Sequence, residues 1–96
     1  MEAFGYDKND EEFENILKLS QVTLSCKKED LDKIIEFLNK VKNESKNKKI
    51  DGGNHWHYRD YNKSWTEEEP DLIIFVDNDT NRYNLWRKML NEYRNN

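Results

Sequence analysis

The chain has 96 residues and a mass of 11.7 kDa, which is enough for one small hydrophobic core and too little for two. Charged residues make up 38% and the net charge is -4, so the sequence lacks the dense positive charge of a nucleic-acid-binding surface. The longest apolar run, Leu72–Val76, is far shorter than the roughly 20 residues of a transmembrane helix, and we expect no membrane span.

The amino-terminal segment shows no periodic pattern. Residues 1–12 are rich in acidic side chains, so we expect a flexible acidic tail before a single α+β domain over residues 13–94. The segment has neither the basic start nor the apolar stretch of a secretion signal, and the single Cys26 cannot form an internal disulfide. Both features predict a cytoplasmic protein.

A strand and then a helix are predicted next. Apolar and polar residues alternate between Glu14 and Cys26, with a change of phase at Ser20 that indicates a β-bulge or two short strands. From about Lys28 to Asn43 the apolar residues recur at helical spacing, with acidic residues near the start and lysines near the end. A polar connection over residues 43–54 follows.

Two more strands and a second helix complete the predicted order β-α-β-β-α. Aromatic residues are enriched over residues 54–61, and residues 71–76 are apolar on both faces, which is typical of a central strand. After a cap at Asp79 or Thr80, large apolar residues recur at helical spacing as far as Tyr93.

These elements predict an α+β fold with one three-stranded mixed sheet in the order 1-3-2 and two helices on one face. The helical link makes strands one and two parallel, and the shorter link makes strands two and three antiparallel. Because the helices cover one face only, the second face of strand 71–76 needs another cover. The candidates are the tail aromatics, Trp56 or Trp65, a second copy of the chain, or a protein partner.

The sequence His55-Trp56-His57 is the motif with metal chemistry. Histidines at i and i+2 on a strand point the same way, and Asp60 or the acids of residues 67–71 could complete a ligand set. Two histidines at this spacing, without a second pair of ligands, more often serve packing or hydrogen bonding. On an ideal strand Asp60 lies on the opposite face. We expect no cofactor and no catalytic residue, with a metal-binding hydrolase-like domain as the alternative.

The middle segment also holds the candidates for partner binding. Residues 50–79 carry eight acidic and two basic side chains, a net charge of -6 that would attract a cationic partner. Its aromatic residues are of the types that anchor interfaces, although they could instead complete a core short of aliphatic residues. The candidate residues are His55, Trp56, His57, Tyr58, Asp60, Tyr61, Trp65, Glu67, Glu68 and Glu69.

Four short segments carry a resemblance to known proteins. They are Leu19–Leu24, Lys28–Leu31, His55–Tyr61 and Glu69–Ile74, together with Trp65. These segments resemble small bacterial domains with a strand-helix-H-x-H-x-x-D-strand plan, some of them assigned as immunity proteins of polymorphic toxin systems. The resemblance spans residues 14–77 and implies a non-enzymatic cytoplasmic protein that binds a toxin partner. A homodimer formed through the open sheet face is a further alternative.

Overall fold

The computed structural model describes residues 1–46, 54–77 and 80–95, and within these ranges it contains both strands and helices. Residues 47–53 of the predicted connection and the predicted cap Asp79 lie outside them. The elements are β1 (Ala3–Gly5), β2 (Leu17–Leu19), α1 (Lys28–Ser45), β3 (His55–His57), α2 (Tyr58–Tyr61), β4 (Ile73–Phe75) and α3 (Thr80–Asn95). This composition confirms a small α+β fold.

The predicted three-stranded sheet is wrong. The strands form two separate antiparallel pairs, β1 with β2 and β3 with β4, so β4 is not a central strand. The antiparallel relation of β3 and β4 agrees with the short link between them. The predicted order placed β2 beside β4, but β2 pairs with the nearby β1, and this local pairing closes a much shorter loop at a lower entropic cost.

The first predicted strand is much shorter than expected. Only Leu17–Leu19 is extended and paired, while the segment after the phase change has no strand structure. Val22 and Leu24, which are apolar residues of the alternating pattern, are exposed, and so is Cys26. Alternation alone does not make a strand here, because no strand of the described residues pairs with this segment.

The chain divides into two compact units, of which the first comprises Met1–Ser25 and Tyr83–Asn96. In this unit Glu2, just before β1, joins two elements: its Oε1 accepts hydrogen bonds from Lys18 Nζ of β2 at 3.2 Å and from Arg87 of α3 at 3.1 Å. The Lys18 ammonium also donates to Asn91 Oδ1 at 3.3 Å. One sheltered carboxylate thus links the β1–β2 hairpin to the last helix.

The second unit, Cys26–Arg82, has an aromatic core. Phe37 of α1 is only 1% exposed, and its ring lies 5.5 Å from that of Tyr58 and 5.4 Å from that of Tyr61, centroid to centroid. The other buried apolar residues are Val41 and Trp56, and the partly buried ones packed against the cluster are Ile34, Tyr61, Trp65, Leu72, Ile74 and Val76. The helices in the described ranges are too short or too polar to cross a bilayer.

The first prediction compares adjacent residues of β4. Ile74→Ala removes a side chain that packs on the core and should lower the free energy of unfolding by about 2 kcal/mol, near the low end for a buried Ile. Ile73→Ala is the matched control, because Ile73 is 51% exposed, and it should cost less than about 1 kcal/mol. Urea unfolding measures both, and equal losses would contradict a one-sided strand.

The second prediction concerns Glu2. The hydrogen bond from Arg87 lowers the pKa of this carboxyl, outweighing the opposing effect of burial, and Lys18 adds to the lowering. A lowered folded-state pKa means that the contribution of Glu2 to stability is complete above the ordinary glutamate pKa and is lost as the pH falls through the lowered value. Thermal unfolding should therefore show Glu2→Gln less stable than the unsubstituted chain at neutral pH and equally stable in strong acid.

Glu12→Gln is the control for this experiment, since Glu12 is an exposed acid of the same unit. It should leave the pH profile of unfolding nearly unchanged. A Glu2→Gln profile parallel to that of the unsubstituted chain down to strong acid would contradict the role given to Glu2.

Candidate functional site

The β3–β4 hairpin has two chemically different faces. Its register places His55 opposite Phe75, Trp56 opposite Ile74 and His57 opposite Ile73. Because opposite residues of an antiparallel pair share a face, Trp56 and Ile74 lie together on the side that packs into the core. The other side, called the outer face below, consists of His55, His57, Ile73 and Phe75.

The outer face leaves large apolar side chains in contact with solvent. Ile73 is 51% exposed and Phe75 37% exposed. At these two positions the second face of the strand, which was expected to need a cover, keeps part of its apolar surface in contact with solvent. Trp56 and Trp65, two of the candidates to cover it, pack into the core of the unit instead.

A hydrogen bond holds His57 in place on this face. Its Nδ1 lies 2.6 Å from Oδ2 of Asp71, just before β4, and the other oxygen of Asp71 accepts the backbone N–H of Arg59 at 3.1 Å. Since an ionised carboxylate can only accept, His57 donates from Nδ1, and in the neutral form of the ring the lone pair is then at Nε2. Asp71 thus sets both the orientation and the tautomer of His57.

The chain leaves the strand immediately after His57. The strand predicted over residues 54–61 extends only over His55–His57, and Tyr58–Tyr61 forms one helical turn. The Tyr58 N–H donates to the Leu72 carbonyl at 2.8 Å, so the first residue of the helical turn also forms a hydrogen bond across the hairpin. The change of conformation buries Tyr58 and leaves Asp60 exposed on α2.

The predicted partner-binding residues fall into two groups. Trp56 and Tyr58 are buried, and Tyr61 and Trp65 pack against the same core, with Trp65 Nε1 donating to the Pro70 carbonyl at 3.0 Å. These four aromatic residues thus occupy the position that the alternative interpretation gave them, in a core that is short of aliphatic residues. The exposed candidates are His55, Asp60, Glu67, Glu68 and Glu69, while His57 is half-buried.

Glu44 is a polar centre that the sequence analysis missed. Its Oε2 accepts the indole N–H of Trp56 at 2.5 Å and the hydroxyl of Tyr61 at 3.2 Å. Burial raises the pKa of Tyr61, and the negative charge of Glu44 raises it further. An acidic residue in the last turn of a helix is disfavoured by the helix dipole, so the position of Glu44 was a signal that it has a partner elsewhere.

The suggested metal ligands are brought together only in part. The rings of His55 and His57 lie 5.0 Å apart, centroid to centroid, with an angle of 73° between their planes. Within residues 1–46, 54–77 and 80–95 no three His, Cys, Asp or Glu side chains lie close enough to hold one ion, so the set His55, His57 and Asp60 is not assembled. The carboxylate that meets His57 is Asp71.

Comparison of the chain with family models, curated proteins and solved structures found no match. The resemblance to small bacterial domains therefore stays a prediction, and the function is inferred from the positions and contacts of the residues.

The third prediction tests the contact between Glu44 and Tyr61. Glu44→Gln removes the negative charge but keeps an oxygen that can accept from Trp56 and Tyr61, so the pKa of Tyr61 should fall toward the ordinary value while burial still holds it above that value. NMR titration of ring-labelled tyrosine, with Tyr61→Phe to assign the signal, measures the change.

Glu36→Gln is the matched control, because Glu36 is an exposed carboxylate on the same helix. It should not move the titration of Tyr61. An unchanged pKa in Glu44→Gln would show that the charge of Glu44 does not act on the phenol.

Proposed function

We propose that this chain is a non-enzymatic protein-binding module that acts in the cytoplasm and blocks a cationic protein partner, in the manner of an immunity protein. The observation that carries the proposal is the outer face of the β3–β4 hairpin. One face of β4 stabilises the core, and the other offers Ile73 and Phe75 to solvent.

Apolar side chains on both sides of a strand indicate that both sides lose contact with water in the working state of the protein. In a two-stranded sheet the core can supply only one of these contacts. Burial of Ile73 and Phe75 against a partner would gain about 25 cal/mol for each Å² of apolar surface removed from water. These two residues replace Trp56 and Tyr58 as the apolar anchors, since the core already buries the latter two.

Charge supports a cationic partner. The exposed acids Glu67, Glu68 and Glu69 lie in the turn region between α2 and β4, and Asp60 is exposed on α2 itself. Exposed acidic side chains in the same unit as an apolar contact raise the rate of association with a positively charged surface and disfavour acidic partners. The resemblance to immunity proteins adds a biological setting in which such a partner is a toxin.

The alternative, a metal-dependent hydrolase-like domain built on His55, His57 and Asp60, has less support. Asp60 is exposed on α2, and the part of the chain that the structure describes brings no third ligand to the histidine pair. A protein that neutralises a partner by covering its surface does not require a set of three metal ligands.

The fourth prediction tests the outer face with the protein encoded beside this chain's gene. Co-expression of the two should form a complex and restore growth of cells that the neighbouring protein inhibits. Ile73→Ala should weaken the complex about tenfold or more, since loss of a central apolar anchor costs over about 1.4 kcal/mol. Replacing Glu67, Glu68 and Glu69 by Gln should mainly slow association and reduce its dependence on salt.

Ile35→Ala is the matched control, because Ile35 belongs to the same unit and is 49% exposed on α1. It should leave the affinity unchanged. Equal losses in the Ile35 and Ile73 variants would contradict the assignment of the outer face. A chain that binds no neighbouring product and doubles its mass in light scattering, with Ile73→Ala restoring 11.7 kDa, would replace the proposal by a homodimer.

A further inference from the structure

We propose that His55 and His57 are the ligands of an exchangeable divalent transition-metal ion of the zinc type, and that Asp71 is a positioning residue for His57. The inference depends on the geometry of the outer face and not on the protein partner proposed above. It concerns a binding site and includes no catalytic step.

The spacing of the two rings is the first argument. An ion about 2.0–2.1 Å from each imidazole nitrogen, bound at a tetrahedral angle, places the centroids of two ligating rings about 5 Å apart. The observed distance between the centroids of His55 and His57 is 5.0 Å. The angle of 73° between the ring planes is compatible with this geometry, because the bond angle at the ion does not fix the angle between the planes of the two rings.

The second argument is the tautomer of His57. A histidine that ligates a metal through Nε2 usually donates its Nδ1–H to a carboxylate, which orients the ring and makes the ligating nitrogen more basic. Asp71 provides this contact at 2.6 Å, and the Arg59 backbone N–H fixes the carboxylate in turn at 3.1 Å. Asp71 therefore acts through His57, and the ion itself is bound by the two histidines.

The third argument concerns strength. The two histidines leave the remaining coordination positions to water, because the described residues place no third His, Cys, Asp or Glu within reach. Such a site binds weakly and exchanges its ion, so the metal should be lost during purification.

The test is calorimetric titration of the untagged full chain with Zn²⁺, together with ¹⁵N NMR of the histidine rings. We expect one ion per chain, a shift of the His57 Nε2 signal on binding, and an Nδ1 that stays protonated. His55→Ala and His57→Ala should each abolish the calorimetric signal. Asp71→Asn should weaken binding 10- to 100-fold, the loss that follows removal of an outer-shell carboxylate.

Asp60→Asn is the matched control, since it makes the same chemical change at an exposed position of α2 and should leave the affinity unchanged. His55 is exposed and lies outside the core cluster, so its replacement should disturb the fold less than Asp71→Asn and keeps the test decisive if Asp71→Asn unfolds. Absence of binding at millimolar Zn²⁺, or binding that persists in His55→Ala, would overturn the site. Ile73→Ala should reduce partner binding and leave Zn²⁺ affinity unchanged, so the two proposals can fail separately.

Discussion

The packing of Phe37 against Tyr58 and Tyr61 is the interaction on which the arrangement of the second unit depends. Phe37 is only 1% exposed, and its ring lies about 5.5 Å from each of the two tyrosine rings, partly edge-on. This packing requires α1 to turn one defined side toward α2 and the hairpin. Ile34 and Val41 lie on that side, whereas Leu31, Ile35 and Leu38 are exposed on another side of the same helix. The helix therefore faces its core with an aromatic residue at the centre.

The same core decides which face of the hairpin is buried. Trp56 enters it from β3 and donates its indole N–H to Glu44, and Ile74 follows on β4. Because side chains alternate along a strand, placing Trp56 and Ile74 inside necessarily places His55, His57, Ile73 and Phe75 outside. The outer face, with its apolar anchors and its histidine pair, is thus a direct consequence of how the core is filled.

Polar contacts at the edge of this core have a structural and a functional aspect. Glu44 accepts from two partly buried donors, the Trp56 indole N–H and the Tyr61 hydroxyl, which would otherwise lose a hydrogen bond on leaving water. Asp71 ties the end of β3 to the start of β4 through His57 and the Arg59 N–H, and in doing so it presents Nε2 of His57. The hydrogen bond between Asp71 and His57 therefore stabilises the hairpin and also orients the nitrogen atom that we propose as a metal ligand.

The sequence by itself determined the α+β class, the two long helices, the antiparallel relation of the strands at 55–57 and 73–75, and the pairing of His55 and His57 on one face. These features follow from local periodicity and from the shortness of a link, which neighbouring residues define. Only the tertiary structure decided that the strands form two separate pairs, that Phe37 rather than Leu31 or Leu38 faces the core, and that Asp71 rather than Asp60 meets His57. Each of these features depends on contacts between residues that are distant in the chain. The spacing of the sequence did not distinguish among several apolar or acidic side chains, whereas the packing of one core does.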